Sequence, residues 1–473
     1  MLPGARADVA RDRRVRFEGG RIAATEDCNP RECRPVFALP ALVNAHDHAR
    51  SVRGSSFGAW GKPLETWLHA MAMLPAVDPY VATAVSLGRS ALGGAGTVMI
   101  HYTRVQGITD LETEAQQVAR AARDVGVRVG FAVALRDMNP LVYGPSEPIL
   151  ERLPTVRTEI EKRFLTPPPG VPELMDRVEA VAAACDHPDF NVQYGPAGVQ
   201  WCSPGLLSAV AEASARTGRR VHMHLLETRY QRDWADNAYP DGIVSHLDAI
   251  GLLSPRLTLA HCTWARPQEL ELIAARGATI AVNTSSNLGI RSGVAPVAEM
   301  LRRSCRVALG LDGLALDEDD DALRELRLGY LLHTGTGFAV DVDRAATLAM
   351  AFENGRRSVL DTPDASALVP GAPADVLVLD WRRLDEDHLF PGLDPRDLLF
   401  ARANARFIDE LIVAGRTVVR QGRVLGIDLP ALQSELLDRL RSGIAENAPT
   451  AAALRALSHE VAASFEPRHA CCW

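Results

Sequence analysis

Leu39-Pro40-Ala41-Leu42-Val43-Asn44-Ala45-His46-Asp47-His48 is a short apolar run that ends in two histidines separated by one residue. In an extended strand, side chains at positions i and i+2 point to the same face, so His46 and His48 should project together from one strand end. Two imidazoles at this spacing make half of a metal site. The pair is also compatible with chance on a solvent-facing strand, so the interpretation depends on further ligands downstream.

Helix-like and strand-like patterns alternate after this motif. Eight strand-like segments begin with the one at Leu42, and the others are residues 97–101, 127–135, 191–194, 220–225, 257–260, 279–283 and 307–311. Such alternation indicates parallel strands joined by crossover helices, as in a barrel or a doubly wound sheet. The number eight favours a closed (β/α)8 barrel, which is an α/β fold.

Both chain ends carry short strand patterns with glycine turns. We expect residues 1–37 and 366–428 to form one small β-sandwich domain beside a barrel of residues 38–365. Residues 429–473 should add a C-terminal helical extension. Residues 136–172 contain many prolines and interrupt the barrel pattern, so we predict an insertion on a barrel loop, with a lid as one interpretation.

Side chains able to bind a metal or move a proton occupy four predicted strand ends. In (β/α)8 barrels, catalytic residues lie at the carboxyl ends of the strands. The residues at these ends are His46 and His48 in the first strand, His224 and Glu227 in the fifth, His261 in the sixth and Asp312 in the eighth. Imidazole and carboxylate ligands suit Zn²⁺ or Fe²⁺, and three histidines with one aspartate leave a position for water. Because such a metal lowers the pKa of bound water from about 16 to about 7, the sequence predicts a hydrolysis.

The predicted roles of the remaining groups follow from their position. Glu227 comes three residues after His224 and should lie in the turn beyond the strand, where it reaches the pocket without binding the metal. That position suits a proton shuttle to the substrate. His261 could hold the attacking water or polarise the reacting carbon, while Asp312 could bind the metal and accept the water's proton.

These motifs resemble the amidohydrolase superfamily, in particular the cytosine-deaminase-like branch with guanine, S-adenosylhomocysteine and pterin deaminases and triazine hydrolases. The segments that carry the resemblance are 39–48, 63–68, 224–228, 260–262, 283–293, 309–313 and 370–380. The resemblance implies the metal ligands His46, His48, His224 and Asp312, and catalytic roles for Glu227 and His261. It also implies a (β/α)8 barrel beside a composite β-sandwich, and commonly a homodimer.

A single metal ion per subunit is expected. Binuclear branches of the superfamily bridge two metals through a carbamylated lysine at the end of the fourth strand. The fourth strand of this chain has no lysine, and its only two lysines, Lys62 and Lys162, lie elsewhere. We expect zinc, with iron as the alternative.

Substrate contacts are less well defined by the sequence. Related deaminases often have a histidine after the fourth strand, where this chain has Ala197, and another where it has Val282. Gln200 and Trp201 could instead supply an amide and a stacking face for a flat heterocycle, although a packed loop is the alternative interpretation. Trp67 fits a pocket wall or the core.

Three functional hypotheses follow. The first is an aminohydrolase that deaminates an amino-substituted N-heterocycle, purine, pterin or triazine-like, by attack of metal-bound hydroxide. The second uses the same site for dealkylamination, dehalogenation or hydrolysis of a ring C–N bond. The third is a non-catalytic, metal-free scaffold, which the intact ligand and catalytic positions oppose.

Composition excludes several partners. The net charge of −8 and the absence of a dense run of basic residues argue against nucleic acid, which needs clustered cations. No segment reaches the roughly 18 apolar residues of a membrane helix, and the first residues do not resemble a signal peptide. The eight scattered cysteines are interpreted as mostly reduced thiols. We therefore predict a cytoplasmic enzyme with a small heterocyclic substrate and no membrane or nucleic-acid partner.

Overall fold

The computed structural model describes residues 1–29, 31–362, 366–390 and 392–465. Its strands are β1 (Arg13–Glu18), β2 (Arg21–Asp27), β3 (Val36–Pro40), β4 (Leu42–Asp47), β5 (Ala95–Tyr102), β6 (Arg128–Leu135), β7 (Phe190–Pro196), β8 (Val221–Leu225), β9 (Leu257–His261), β10 (Thr279–Val282), β11 (Arg306–Leu309), β12 (Val376–Asp380), β13 (Ile408–Val413), β14 (Arg416–Arg420) and β15 (Arg423–Val424).

The helices of the described residues are α1 (Leu64–Ala72), α2 (Pro79–Leu92), α3 (Leu111–Val125), α4 (Glu147–Leu150), α5 (Arg157–Phe164), α6 (Val171–Cys185), α7 (Pro204–Thr217), α8 (Arg229–Ala238), α9 (Ile243–Ala249), α10 (Pro267–Ala275), α11 (Thr284–Gly289), α12 (Val297–Arg302), α13 (Leu314–Asp317), α14 (Ala322–His333), α15 (Arg344–Ala349), α16 (Gly355–Leu360), α17 (Trp381–Leu384), α18 (Pro395–Arg402), α19 (Leu429–Glu446) and α20 (Ala448–Phe465). Short 3-10 or π turns cover Gly54–Phe57, Val199–Trp201, Met350–Asn354 and Ala405–Phe407.

The eight strands β4 to β11 form one parallel sheet in chain order, as the sequence predicts. The strands are buried along almost their whole length, because helices cover the outer face of the sheet and side chains fill its interior. The two edges of the sheet meet where the backbone N–H groups of Leu311 and Asp312 donate to the carbonyl oxygen of His46, at 3.2 and 2.8 Å. The sheet is therefore a nearly closed barrel, and this contact joins its first and last strands next to the predicted metal ligands.

The second sheet combines the two ends of the chain. Its order is β15-β14-β13-β12-β3, and β3 pairs antiparallel with β12. The β1-β2 hairpin lies beside it and bridges from Arg21 to Pro373. This confirms the predicted small β domain built from both chain ends. β3 continues through Pro40, so this sheet and the barrel meet at Ala41. The predicted division of the chain into residues 1–37, 38–365, 366–428 and 429–473 stays a proposal.

The insertion at 136–172 contains α4 and α5 and packs against the C-terminal helix α20. Apolar side chains of the two regions share one buried cluster, including Leu150, Ile160, Leu457 and Val461. The insertion is thus held by a helix that comes almost 300 residues later in the chain. The sequence predicted both segments but not their contact.

The cysteines depart from the expectation at one pair. Cys28 and Cys33, which lie between β2 and β3, form a disulfide. Cys185, Cys202, Cys262 and Cys305 are free, whereas Cys471 and Cys472 lie outside the described residues. Among the helices of the described ranges, none combines the length and the apolar character that a membrane crossing requires.

A buried ion-pair network joins the β domain to the barrel. The Asp375 carboxylate accepts hydrogen bonds from Arg128 Nε at 2.9 Å, from Arg356 Nη1 at 2.6 Å and from the Ala414 backbone N–H at 2.7 Å. Burial acts to raise the pKa of Asp375, but the two guanidinium groups outweigh it and lower the pKa. The carboxylate is therefore charged in the folded protein at neutral pH.

Replacing Asp375 by Ala is expected to lower the free energy of unfolding by about 3–5 kcal/mol, because the buried guanidinium of Arg356 and the largely buried guanidinium of Arg128 lose the anion that they share. Urea denaturation at pH 7 measures this. Since the folded-state pKa is lowered, the contribution is present above about pH 4 and is lost as the pH falls through the folded pKa. The control is Asp189→Ala, which removes an exposed partner of Arg128 and should cost under about 1 kcal/mol. Equal effects of the two variants would contradict the prediction.

Candidate active site

The residues singled out at the strand ends converge at one end of the barrel. His46 lies in β4, His224 in β8 and His261 at the last position of β9, and Asp312 follows β11. His261 and Asp312 have positive φ angles of 74° and 66°, and Leu226, just before Glu227, has 51°. Non-glycine residues rarely adopt this conformation, and such strain clusters at functional sites. The turns that follow these strands are thus bent so that several polar side chains point into the same space.

The rings of His48 and His224 point unprotonated Nε2 atoms at each other. The Nδ1 atoms of His48 and His224 donate to the carbonyl oxygens of His101 and Ala197, each at 2.7 Å. Burial, followed by the charge of Arg50, lowers the pKa of His48 to about 3, and burial lowers the pKa of His224 well below its usual range. Both rings are therefore neutral, and their Nε2 atoms, 3.3 Å apart, carry lone pairs and no proton. Two lone pairs at this separation repel each other unless a cation lies between them.

Asp312 completes the cluster. Its Oδ1 atom lies 3.3 Å from His46 Nε2 and 3.1 Å from His48 Nε2. Its Oδ2 atom accepts a hydrogen bond from Ser286 Oγ at 2.7 Å. Asp312 therefore presents a carboxylate oxygen to the same imidazole nitrogens that converge between His46 and His48.

The donor atoms of this cluster fit a divalent metal ion. Ligand atoms of His46, His48 and His224 lie within 4.8 Å of one another, as do those of His46, His261 and Asp312. His46 Nε2 and Asp312 Oδ1 are buried and have no hydrogen-bond partner among the described residues. Buried polar atoms normally have a hydrogen-bond partner. Several unpaired ligand atoms that converge on one point therefore indicate a bound cation.

Two further histidines, which sequence reasoning did not single out as site residues, support the cluster. His222 Nε2 lies 2.7 Å from His46 Nδ1, and His101 Nε2 donates to the carbonyl oxygen of Gly195 at 3.0 Å. The His101 ring also stacks on His224 with a centroid distance of 4.9 Å. The signal that could have found them is their position, because His101 is near the end of β5 and His222 shares a strand face with His224.

Glu227 and His261 face each other at the edge of the cluster. His261 Nε2 lies 3.8 Å from Glu227 Oε2 and 3.8 Å from Asp312 Oδ2. The other ring nitrogen of His261, Nδ1, donates to Asn287 Oδ1 at 2.9 Å, which holds the orientation of the ring. Burial raises the pKa of Glu227 to about 7, so this carboxyl can take up and release a proton near neutral pH.

A cavity of about 970 Å³ opens above these residues. His48, His224, Glu227, His261 and Asp312 lie on its surface. Its walls come from α1, from the loop after β6 with the insertion, and from the loop after β7. Pockets of this size accommodate small organic ligands.

The three predicted substrate contacts take different places. Trp201 lines the cavity, and its buried Nε1 atom has no hydrogen-bond partner among the described residues. Gln200 is 5% exposed and lies outside the set of residues that line the cavity. Trp67 is 1% exposed and packs in an apolar cluster, with the guanidinium of Arg50 stacked 4.7 Å from its ring. The helix α1 turns Trp67 inward and presents His69 to the cavity instead.

The fold and the donor set together define the class of the protein. A nearly closed barrel of eight parallel strands that gathers histidines and an aspartate at the carboxyl ends of its strands is typical of metal-dependent hydrolases. The chain belongs to the Amidohydrolase family, whose sequence model matches residues 37–418. It is therefore a hydrolase of this family, as the resemblance implied.

Individual relatives agree with this assignment. The chain is 28% identical to a 5'-deoxyadenosine deaminase from Methanothermobacter thermautotrophicus over 394 residues, and this matched region covers 82% of each of the two chains. It is also 28% identical to a 5-methylthioadenosine/S-adenosylhomocysteine deaminase from Pelotomaculum thermopropionicum over 410 residues, and this matched region covers 85% of each of the two chains.

Solved structures share the fold. An adenosine deaminase from Xanthomonas campestris with bound zinc superposes with a TM-score of 0.74 at 21% identity, over 93% of this chain and 97% of that chain. Atrazine chlorohydrolase from Arthrobacter aurescens TC1 complexed with zinc gives a TM-score of 0.72 at 21% identity, over 90% of this chain and 94% of that chain. These structures confirm the predicted α/β barrel fold.

Proposed function

We propose that this chain is an aminohydrolase that removes ammonia from an amino-substituted N-heterocycle of the purine, pterin or triazine type. The observation that carries the proposal is the meeting of Glu227, His261 and Asp312 around one converging donor set at the floor of the cavity. The proposal is supported by the names of the related sequences, which are deaminases of adenine-containing compounds.

The proposed metal ligands are His46, His48, His224 and Asp312, and the proposed cofactor is one divalent ion. Zinc is the first choice because related solved structures hold zinc, and iron is the alternative. When bound, such an ion supplies a water molecule whose pKa is lowered to about 7. A single ion is proposed because β7 contains no lysine that could bridge a second one.

The chain's own residues then move the protons. Asp312 accepts a proton from the attacking water, and the water oxygen forms a bond to the ring carbon that carries the amino group. Glu227 delivers a proton to the substrate, and His261, held by Asn287, orients the water or polarises the reacting carbon. The C–N bond breaks, ammonia leaves, and the ring retains an oxo group, so that one water is consumed for each ammonia released.

A second candidate keeps this site and changes the leaving group to an alkylamine, a halide or a ring nitrogen. It is supported by the shared fold of triazine hydrolase and atrazine chlorohydrolase. Mass spectrometry of the products distinguishes the candidates, because ring opening adds water without loss of ammonia. A metal-free scaffold is opposed by the retained donor set.

The proposed partner is a small heterocyclic substrate. A homodimer is proposed from the family resemblance, and light scattering coupled to size exclusion tests it. The cytoplasmic location stays a prediction.

The zinc-loaded protein is expected to release ammonia from at least one member of a panel of amino-purines, pterins, pyrimidines and triazines. The physical reason is that water activation and proton transfer are both available at the cavity floor. A coupled ammonia assay measures the release, and protein stripped of metal is the control. A zinc-loaded sample that releases no ammonia from any compound would remove the support for deamination.

A further inference from the structure

Arg50 is a charged side chain at the metal end of the cavity that the proposed mechanism leaves without a task. It follows the metal-site motif by two residues and lines the same cavity as His48 and Glu227. Its Nη2 atom donates to Thr103 Oγ1 at 3.3 Å, and that hydroxyl lies 3.0 Å from His48 Nδ1. One hydroxyl group therefore separates the guanidinium from a proposed metal ligand.

The charge of Arg50 is not neutralised by an ion pair within the described ranges. Within the described residues its guanidinium donates to the neutral hydroxyl of Thr103, and its buried Nε atom has no hydrogen-bond partner. Burial disfavours the charged form, and the nearby carboxylates of Asp312, Asp47 and Glu227 favour it, but an arginine side chain stays protonated at neutral pH in any case. Burying a cation without a hydrogen-bonded anion is costly, so an unpaired guanidinium at a cavity wall indicates a ligand that supplies the anion.

The guanidinium is also held in place in advance. It stacks over the buried ring of Trp67 at 4.7 Å, which restricts the plane of its donors. Trp67 thus acts through Arg50, since its own ring lies behind the cavity wall. A planar fork fixed in this way suits a carboxylate or another acidic oxygen.

The remaining charges of the cavity agree with an anionic ligand. Five arginines but three acidic residues line it, although the whole chain has a net charge of −8. Of the other arginines, Arg177 pairs with Glu173, whereas Arg104 and Arg163 donate to backbone carbonyl oxygens that hold them in the wall. Arg136 directly follows β6, lines the same cavity and provides an internal comparison.

We propose that Arg50 determines specificity by binding an acidic oxygen of the substrate, a carboxylate or an ionised ring oxygen, next to the reacting carbon. This inference rests on the proposed function, because it assigns the substrate class of the same site. The substrate is then an amino-heterocycle that carries a negative charge on the ring or directly attached to it.

The test measures binding, so it does not depend on ammonia release. Titration calorimetry compares uracil, its 6-carboxylate orotate and the ring-ionised barbiturate, together with pterin and pterin-6-carboxylate, on zinc-loaded protein. Wild type should bind at least one acidic ring at least about tenfold more tightly than its neutral parent, because a charge-assisted hydrogen bond forms. Comparing the carboxylates, orotate and pterin-6-carboxylate, with the ring-ionised barbiturate shows which kind of acidic oxygen the site prefers.

The preference for acidic over neutral rings should disappear in Arg50→Gln. It should be partly kept in Arg50→Lys, which retains the positive charge without the planar set of guanidinium N–H donors. Arg120→Gln is the matched control, because Arg120 stacks over Tyr80 at 3.8 Å outside the cavity, and it should keep the full preference. Thermal unfolding checks that each variant is folded. Should Arg50→Gln not fold, Arg50→Lys carries the test, with a preference reduced by at least about threefold.

Three results would overturn the proposal. The first is equal or absent binding of all acidic and neutral rings by wild type. The second is a preference that survives in Arg50→Gln, which would mean that the metal alone holds the acid. The third is a preference lost in Arg136→Gln and kept in Arg50→Gln, which would place the acid at Arg136. A failure of ammonia release with the expected binding pattern would count against deamination and leave this inference standing.

Discussion

Replacing Asp312 by Asn is expected to lower activity by about a thousandfold or more and to lower the metal content of the purified protein. The carboxylate contributes the only negative charge of the proposed ligand set, and Lewis-acid assistance is worth several kcal/mol. Asn keeps the shape of the side chain and the contact with Ser286, so a loss would reflect the charge. Metal per chain, measured by elemental mass spectrometry after gel filtration, is the readout besides turnover.

Asp317→Asn is the matched control for this experiment. Asp317 is also buried, at 3% exposure, and its carboxylate pairs with Ser285 and Arg324 and belongs to neither group of possible metal ligands. This variant should keep its metal, and chelated wild type should regain activity when zinc is added. Full metal content and unchanged turnover in Asp312→Asn would exclude Asp312 as a ligand.

Replacing Glu227 by Gln is expected to reduce turnover at least about a hundredfold, since general acid–base groups contribute 10²–10⁴. The amide has nearly the same size but cannot carry the proton. Glu227 faces His261 at 3.8 Å, so its metal-binding neighbours should stay in place and the metal content should not change. The loss should appear mainly in kcat.

Glu114→Gln serves as the control for loss of a buried carboxylate. Glu114 is fully buried on α3, accepts hydrogen bonds from Tyr102 and from backbone N–H groups, and is not among the residues that line the cavity. Any effect of this variant should be on stability and not on turnover. Unchanged turnover in Glu227→Gln would remove Glu227 from the proton-transfer role.

The barrel could be predicted from sequence because its signals are local. Each strand is a short apolar run between helical patterns, and the count of eight distinguishes a barrel from a doubly wound sheet. The carboxyl-end rule then brings His46, His224, His261 and Asp312 together without knowledge of any contact. The structure places ligand atoms of these residues in groups that span at most 4.8 Å.

The walls of the cavity could not be predicted in the same way. The sequence suggests Trp67 for a pocket wall or the core, and in the structure it faces the core and stacks on Arg50, while His69, two residues later on α1, lines the cavity. A helical pattern shows which residues share a face, but not which face meets the cavity. That depends on how α1 packs against α20, which comes from the opposite end of the chain.

The sequence by itself determined the α/β barrel and the kinds of side chain at its carboxyl ends. Strand alternation and the polarity of parallel strands are rules that operate within a few residues. Only the tertiary structure decided the direction of the lone pairs of His48 and His224, the unpaired charge of Arg50 and the docking of the insertion on α20. Those features arise from contacts between segments far apart in the chain, and no local pattern encodes such contacts.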